Sequence, residues 1–179
     1  MTSPRPSPTP SSPSSTSPTT TTSSRAAEPT SPTRPPNPAD GALFDAIATA
    51  QAAIYGYGIV SAHASPDMNY LVSSSMAQHR KRREEALAML EARSVEAPLP
   101  AAGYQLPMEV DNPTDAAELA VRMEKDSAVA WRAVIEQATD EQERAFGVSA
   151  LTECAVTAAE WSRVLGTKPI TVAFPGGSE

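Results

Sequence analysis

Cysteine is nearly missing from this chain: Cys154 is the one cysteine among 179 residues. That excludes a disulfide framework and any metal cluster built on several thiolates. Aromatic residues are scarce at 5%, and there are two histidines, His63 and His79. Basic residues fall short of acidic ones, 14 against 21, for a formal charge of −7 and a pI near 4.9. A nucleic-acid binder carries a basic stripe, so that class is disfavoured and no nucleic-acid partner is expected. The sequence reads as having no 18-residue apolar run, so no segment is expected to span a membrane and no membrane partner is expected. Met1–Pro10 lacks the apolar core of a secretory signal, and the expected location is cytoplasmic.

Proline, by contrast, is abundant and unevenly placed. Residues 1–38 hold 11 Pro, 10 Ser and 9 Thr, and no Leu, Ile, Val, Phe, Tyr or Trp. Such a segment has nothing to bury against the entropy of ordering it, so it reads as a disordered tail. It could dock a protein partner or serve only as a solubilising extension. Its charge is +2, which leaves −9 on the remaining 141 residues.

Beyond Pro38 the prolines act as punctuation, and four helical windows of about 25 residues, roughly 38 Å each, lie between them. The first is expected from an Asp40 N-cap to about Ala64, with Leu43, Ile47, Ala50 or Gln51, Ile54, Tyr57 and Ser61 facing inward. The second runs from about Asp67 to Arg93, with Val72, Met76, His79, Arg83, Ala86 or Leu87, and Leu90 inward. The third opens on Asn112-Pro113, with Ala117, Val121, Glu124, Ala128, Trp131 and Ile135 inward. The fourth is expected from Thr139, with Gln142 completing a capping box, to Gly166. Its inward face carries Phe146, Ala150, Leu151, Cys154, Ala158, Trp161 and Leu165. Gly56 and Gly58 inside the first helix read as points of close helix contact.

Helices one and two, and three and four, are joined by a few residues each. Ser94–Asp111, with three prolines, is long enough to travel a bundle's length. Hairpin, long crossover, hairpin is the connectivity of a ferritin-like all-α four-helix bundle. The expected organisation is therefore a tail over 1–38, a bundle over 39–166 and an extended C-terminal tail over 167–179.

Residues 41–176 also resemble an actinobacterial ferritin-like family of unknown function, related to ferritins and bacterioferritins. The resemblance rests on Ala-Ile-Tyr-Gly-Tyr-Gly (Ala53–Gly58), His-Arg-Lys-Arg-Arg-Glu-Glu-Ala-Leu (His79–Leu87), Gly-Tyr-Gln-Leu-Pro (Gly103–Pro107) and Thr-Val-Ala-Phe-Pro-Gly (Thr171–Gly176). It implies a fold and no activity. A ferritin-type di-iron centre needs inward Glu residues and two Glu-x-x-His pairs. Here Val60 and Met76 stand three residues before the histidines, the helix-one position falls at Ala50 or Gln51, and Glu153 is followed by Val156.

What remains is a partial set of metal-ligand candidates, His79, Glu124 and Glu153. Gln51, Tyr57, His79, Arg83 and Glu124 form an expected buried polar network. Glu124 shares its face with apolar residues and must be paired, protonated or metal-bound. The missing pairs favour a non-catalytic bundle without a cofactor, a homodimer or partner-binding protein. The alternative is an iron-binding protein or oxidoreductase with a reduced ligand set. Cys154 reads as a small buried hydrophobe. Arg80–Arg83 followed by Glu84-Glu85 reads as a solvated helix face. Ile170–Phe174 is expected to pack on its own domain or against a partner chain.

Overall fold

The computed structural model describes Met1 and residues 32–177. The expected tail therefore lies outside the described residues except for Met1 and its last seven positions. Four α-helices follow in order: α1 (Pro38–His63), α2 (Asn69–Ala92), α3 (Pro113–Gln137) and α4 (Glu141–Leu165). A single 3-10 turn, Pro66–Met68, precedes α2, and no strand occurs among the described residues.

Two helices start with the same device. The Asn112 side chain accepts from Thr114 N at 2.9 Å and Asp115 N at 3.0 Å, with Pro113 at the first helical position. Asn37 does likewise for Ala39 N (2.9 Å) and Asp40 N (3.2 Å), with Pro38 behind it. α1 thus starts three residues before the expected Asp40 cap. Proline lacks the N–H that a first-turn position would leave unused, so it begins the helix rather than ending the tail. Asp40, freed from capping, binds Arg93 Nη1 at 2.9 Å. The α4 cap is Asp140, not Thr139. Its carboxylate accepts from Glu143 N at 2.8 Å, and Glu143 reaches back to Thr139 N at 3.4 Å. At the other end Gly166 adopts φ +68°, the left-handed cap that glycine takes without strain.

The core has two clusters, and their membership fixes the topology. Leu43 and Ile47 of α1, Leu90 of α2, Trp131 and Val134 of α3 and Ala150 of α4 share one. Tyr57 and Val60, Val72, Leu119 and Ala120, and Trp161 share the other. The early part of α1 therefore meets the late part of α2, and α3 and α4 are likewise antiparallel. α2 and α3 run parallel, which requires the connection between Arg93 and Asn112 to cross the bundle's length. It starts with Val95 and Ala97 on the first cluster and ends with Leu106, Met108 and Val110 on the second.

Two expectations about facing and one about hydropathy are corrected. In α2 the inward residues are Val72, Ser75, His79, Arg82, Ala86 and Leu90, so Ser75 and Arg82 replace Met76 and Arg83. Gly56 is a close contact, since a Cβ there would run into Met123 Sδ, but Gly58 faces open space. α1 also reaches the length and mean hydropathy, 1.2 over 18 residues, that a membrane-crossing helix needs, contrary to the expectation that no segment does. Of that window 56% is buried inside the bundle.

The C-terminal segment turns back over α3. Arg132 Nη1 donates to Gly176 O at 3.4 Å, and the left-handed Gly176 (φ +73°) lies so close to Ala128 that a Cβ would sit 2.6 Å from its carbonyl oxygen. Ile170 and Val172 are half-buried there, while Phe174 is exposed.

Candidate functional site

The middle of the bundle holds a hydrogen-bonded chain with one side chain from each helix. Trp161 Nε1 of α4 donates to Tyr57 Oη of α1 at 3.0 Å, and Tyr57 donates onward to Glu124 Oε1 of α3 at 2.6 Å. His79 Nε2 of α2 lies 2.9 Å from the same Glu124 oxygen. An indole can only donate, so the Tyr57 hydroxyl oxygen accepts from Trp161 and its hydrogen goes to Glu124. A carboxylate at Glu124 accepts from His79 Nε2 as well. All four side chains are at most 1% exposed.

Burial, the adjacent Glu124 charge and the hydrogen bond to it push the Tyr57 phenol well above its ordinary value. Tyr57 therefore stays a donor at any physiological pH. The Cys154 thiol, fully buried nearby, is also pushed up, first by burial and then by Glu124. It is a protonated, poorly nucleophilic thiol.

Tyr57, His79 and Glu124 come together as sequence periodicity places them, and two expected partners do not. Gln51 is buried, but its Nε2 donates to Pro98 O at 2.9 Å and holds the crossover instead. Arg83 pairs with its neighbour Glu84 at 2.5 Å on the outside of α2. The buried guanidinium is that of Arg82, whose Nη1 lies 3.4 Å from both Ala150 O and Glu153 Oε2. On a helix of about 100° per residue, Arg82 and Arg83 sit roughly 60° and 40° to either side of His79. Spacing therefore left either possible, and the carbonyl and carboxylate that α4 presents on one side select Arg82. Ser75 and Ser127, buried on the same inward faces, were likewise not singled out by the sequence reading.

The three candidate metal ligands do not converge. His79 and Glu124 are bonded to each other, and Glu153, with its side chain 43% exposed, turns to Arg82. Among the described residues no three His, Cys, Asp or Glu side chains gather as a metal-holding group. The residues present therefore do not fit a ferritin-type di-iron centre, which needs carboxylates from several helices around both ions. Unpartnered buried atoms remain beside the chain: Glu124 Oε2, His79 Nδ1, Ser127 Oγ, and Arg82 Nε and Nη2.

A crystal structure of a conserved hypothetical protein from Mycobacterium tuberculosis is similar to this chain at 54% identity, with a TM-score of 0.71. The match covers 73% of this chain and 99% of that one. No curated protein matches. The sequence family described as a domain of unknown function, DUF4439, matches residues 42–179, which take in α1 from its fifth residue, the other three helices and the returning C-terminal segment. The chain belongs to the DUF4439 family.

Proposed function

We propose that this domain is a non-catalytic, ferritin-like bundle that works by self-association or by binding a protein partner. The carrying observation is that Glu124 Oε1 is already shared by Tyr57 and His79. Where a ferritin relative would gather ligands around metal, this chain spends its central carboxylate on cross-linking its own helices. The hairpin, crossover, hairpin order supports the ferritin-like assignment. The Pro/Ser/Thr-rich N-terminus is a second proposed contact for a protein partner, and the cytoplasm is the proposed location.

Anaerobic titration of the full chain with ferrous iron, followed by mass spectrometry of metal content, tests this reading. Binding no greater than that of a Glu124→Ala variant is expected. Stoichiometric iron lost on that substitution would overturn it in favour of the alternative, an iron protein with a reduced ligand set. Sedimentation velocity across a concentration series tests self-association, with a dimer expected.

A further inference from the structure

A cavity of about 480 Å³ lies between α3, α4 and the returning C-terminal segment. That is within the roughly 300–1,000 Å³ of small-molecule sites. Its apolar walls are Ala128 of α3, Leu151 and Ala155 of α4, and Ile170, Val172 and Pro175 of the segment. Ala128 is buried and the other five are half-buried, so the space is a cleft and not a stretch of open surface. The two buried polar residues that border it are engaged elsewhere. The Ser162 hydroxyl donates to Ala158 O at 2.7 Å, and Glu124, 0% exposed, holds Tyr57 and His79. Charge is available at the rim instead. Lys125 and Arg163 border the cavity, both exposed, and among the described residues neither side chain has an ion-pair or hydrogen-bond partner. Arg34, Lys81, Arg82, Arg83, Arg93 and Arg132, by contrast, each pair with a carboxylate. Glu160 borders the same rim, also unpaired, so cations outnumber carboxylates there two to one.

We propose that this cleft binds a medium-chain fatty carboxylate, its chain against Ala128, Leu151, Ala155 and Ile170 and its head paired at the rim with Lys125 or Arg163. The chemistry follows from walls and rim together. Apolar walls reward each methylene removed from water. An ammonium or guanidinium carries only donors, so the head must accept, and an anionic acceptor gains more from it than a neutral one. The −9 carried beyond Pro38 opposes an anion at long range. That field is screened beyond about 8 Å at physiological salt, whereas a head at the rim meets its cation in contact.

The experiment is calorimetric titration of the full chain with decanoate, octanoate, decanol and decylammonium, with the amide resonances of Ala128, Ala155 and Ile170 followed in parallel. Decanoate is expected to bind saturably and shift those resonances. Octanoate, two methylenes shorter, should bind about tenfold more weakly. Decanol should bind more weakly than decanoate, and decylammonium not at all. At least one of Lys125→Glu and Arg163→Glu should weaken decanoate by about tenfold, since attraction at the rim becomes repulsion. Both positions are exposed, so folding is not at stake in either variant. Ala155→Phe, at a half-buried wall position, should abolish binding by filling the space. Absence of decanoate binding overturns the proposal. So does decylammonium binding equally well, or decanoate binding unchanged in Ala155→Phe or in both rim variants. None of these readouts depends on whether the bundle self-associates or takes up iron.

Discussion

Each half of the bundle contains one buried tryptophan, and the two are secured by different forces. Trp131 sits among Leu43, Ile47 and Leu90 and meets Phe146 edge-on, ring centroids 5.2 Å apart at 81°. Trp161 sits among Val60, Val72 and Leu119, and its indole nitrogen donates to Tyr57. Equal burial thus hides unequal chemistry. The first ring is held by packing against apolar neighbours, and the second by packing and by a donor chain in which every member must find an acceptor. A packed apolar cluster tolerates a slightly smaller ring, whereas a polar chain loses a link outright.

The largest effects should come from truncating either ring. Trp131→Ala and Trp161→Ala should each lower unfolding free energy by about 3–5 kcal/mol in urea titrations. The comparison sharpens when the ring is kept and the nitrogen removed. Trp161→Phe should cost about 1–2 kcal/mol more than Trp131→Phe, because Tyr57 Oη loses its donor. Equal costs would erase the distinction between the halves.

Tyr57→Phe should cost about 1–3 kcal/mol, since Trp161 Nε1 is left buried without an acceptor and Glu124 loses a donor. This change also has a pH signature. The Tyr57 phenol is pushed up in the folded state, so above pH about 10 the folded chain holds a proton that the unfolded chain has lost. Its stabilising share is complete below that pH and drains away as pH rises toward the folded-state value. The urea midpoint should therefore fall above pH 10 in the parent chain and fall less in Tyr57→Phe. Cys154, pushed up by burial, bends the curve in the same direction in both proteins.

The smallest expected effect concerns two glycines two residues apart in α1 and unlike in surroundings. Gly58→Ala should raise stability by about 0.5–1 kcal/mol, because a helical Cβ there meets nothing. Gly56→Ala should gain less or lose stability, as Met123 must move to admit it. Thermal melts of the two variants check this.

Much of the fold was legible because local signals and long-range needs agreed. Asn112-Pro113 and Gly166 marked two helix ends directly, and apolar spacing marked the inward stripes of α3 and α4. The start of α1 was misread although Asn37-Pro38 repeats the Asn112-Pro113 signature with an acidic residue at the same offset. Its proline had been counted with the tail. At the centre, Tyr57, His79 and Glu124 were legible because each lies squarely on an inward stripe. Arg82 was not, because spacing places its neighbour Arg83 slightly nearer the His79 direction and only the facing surface of α4 selects Arg82. The fate of Gln51 depended on the crossover carbonyl of Pro98, which no periodicity in α1 encodes.

The four-helix chain through Tyr57 has a consequence for how the molecule opens. A hydrogen held between two helices is released when those two separate. The indole hydrogen of Trp161 is held in a chain that continues into the other two helices. Solvent reaches it only when the middle of the molecule comes apart as a unit. Its exchange with deuterium would then keep time with global unfolding, so that one side-chain proton serves as a clock for the cooperativity of the whole bundle.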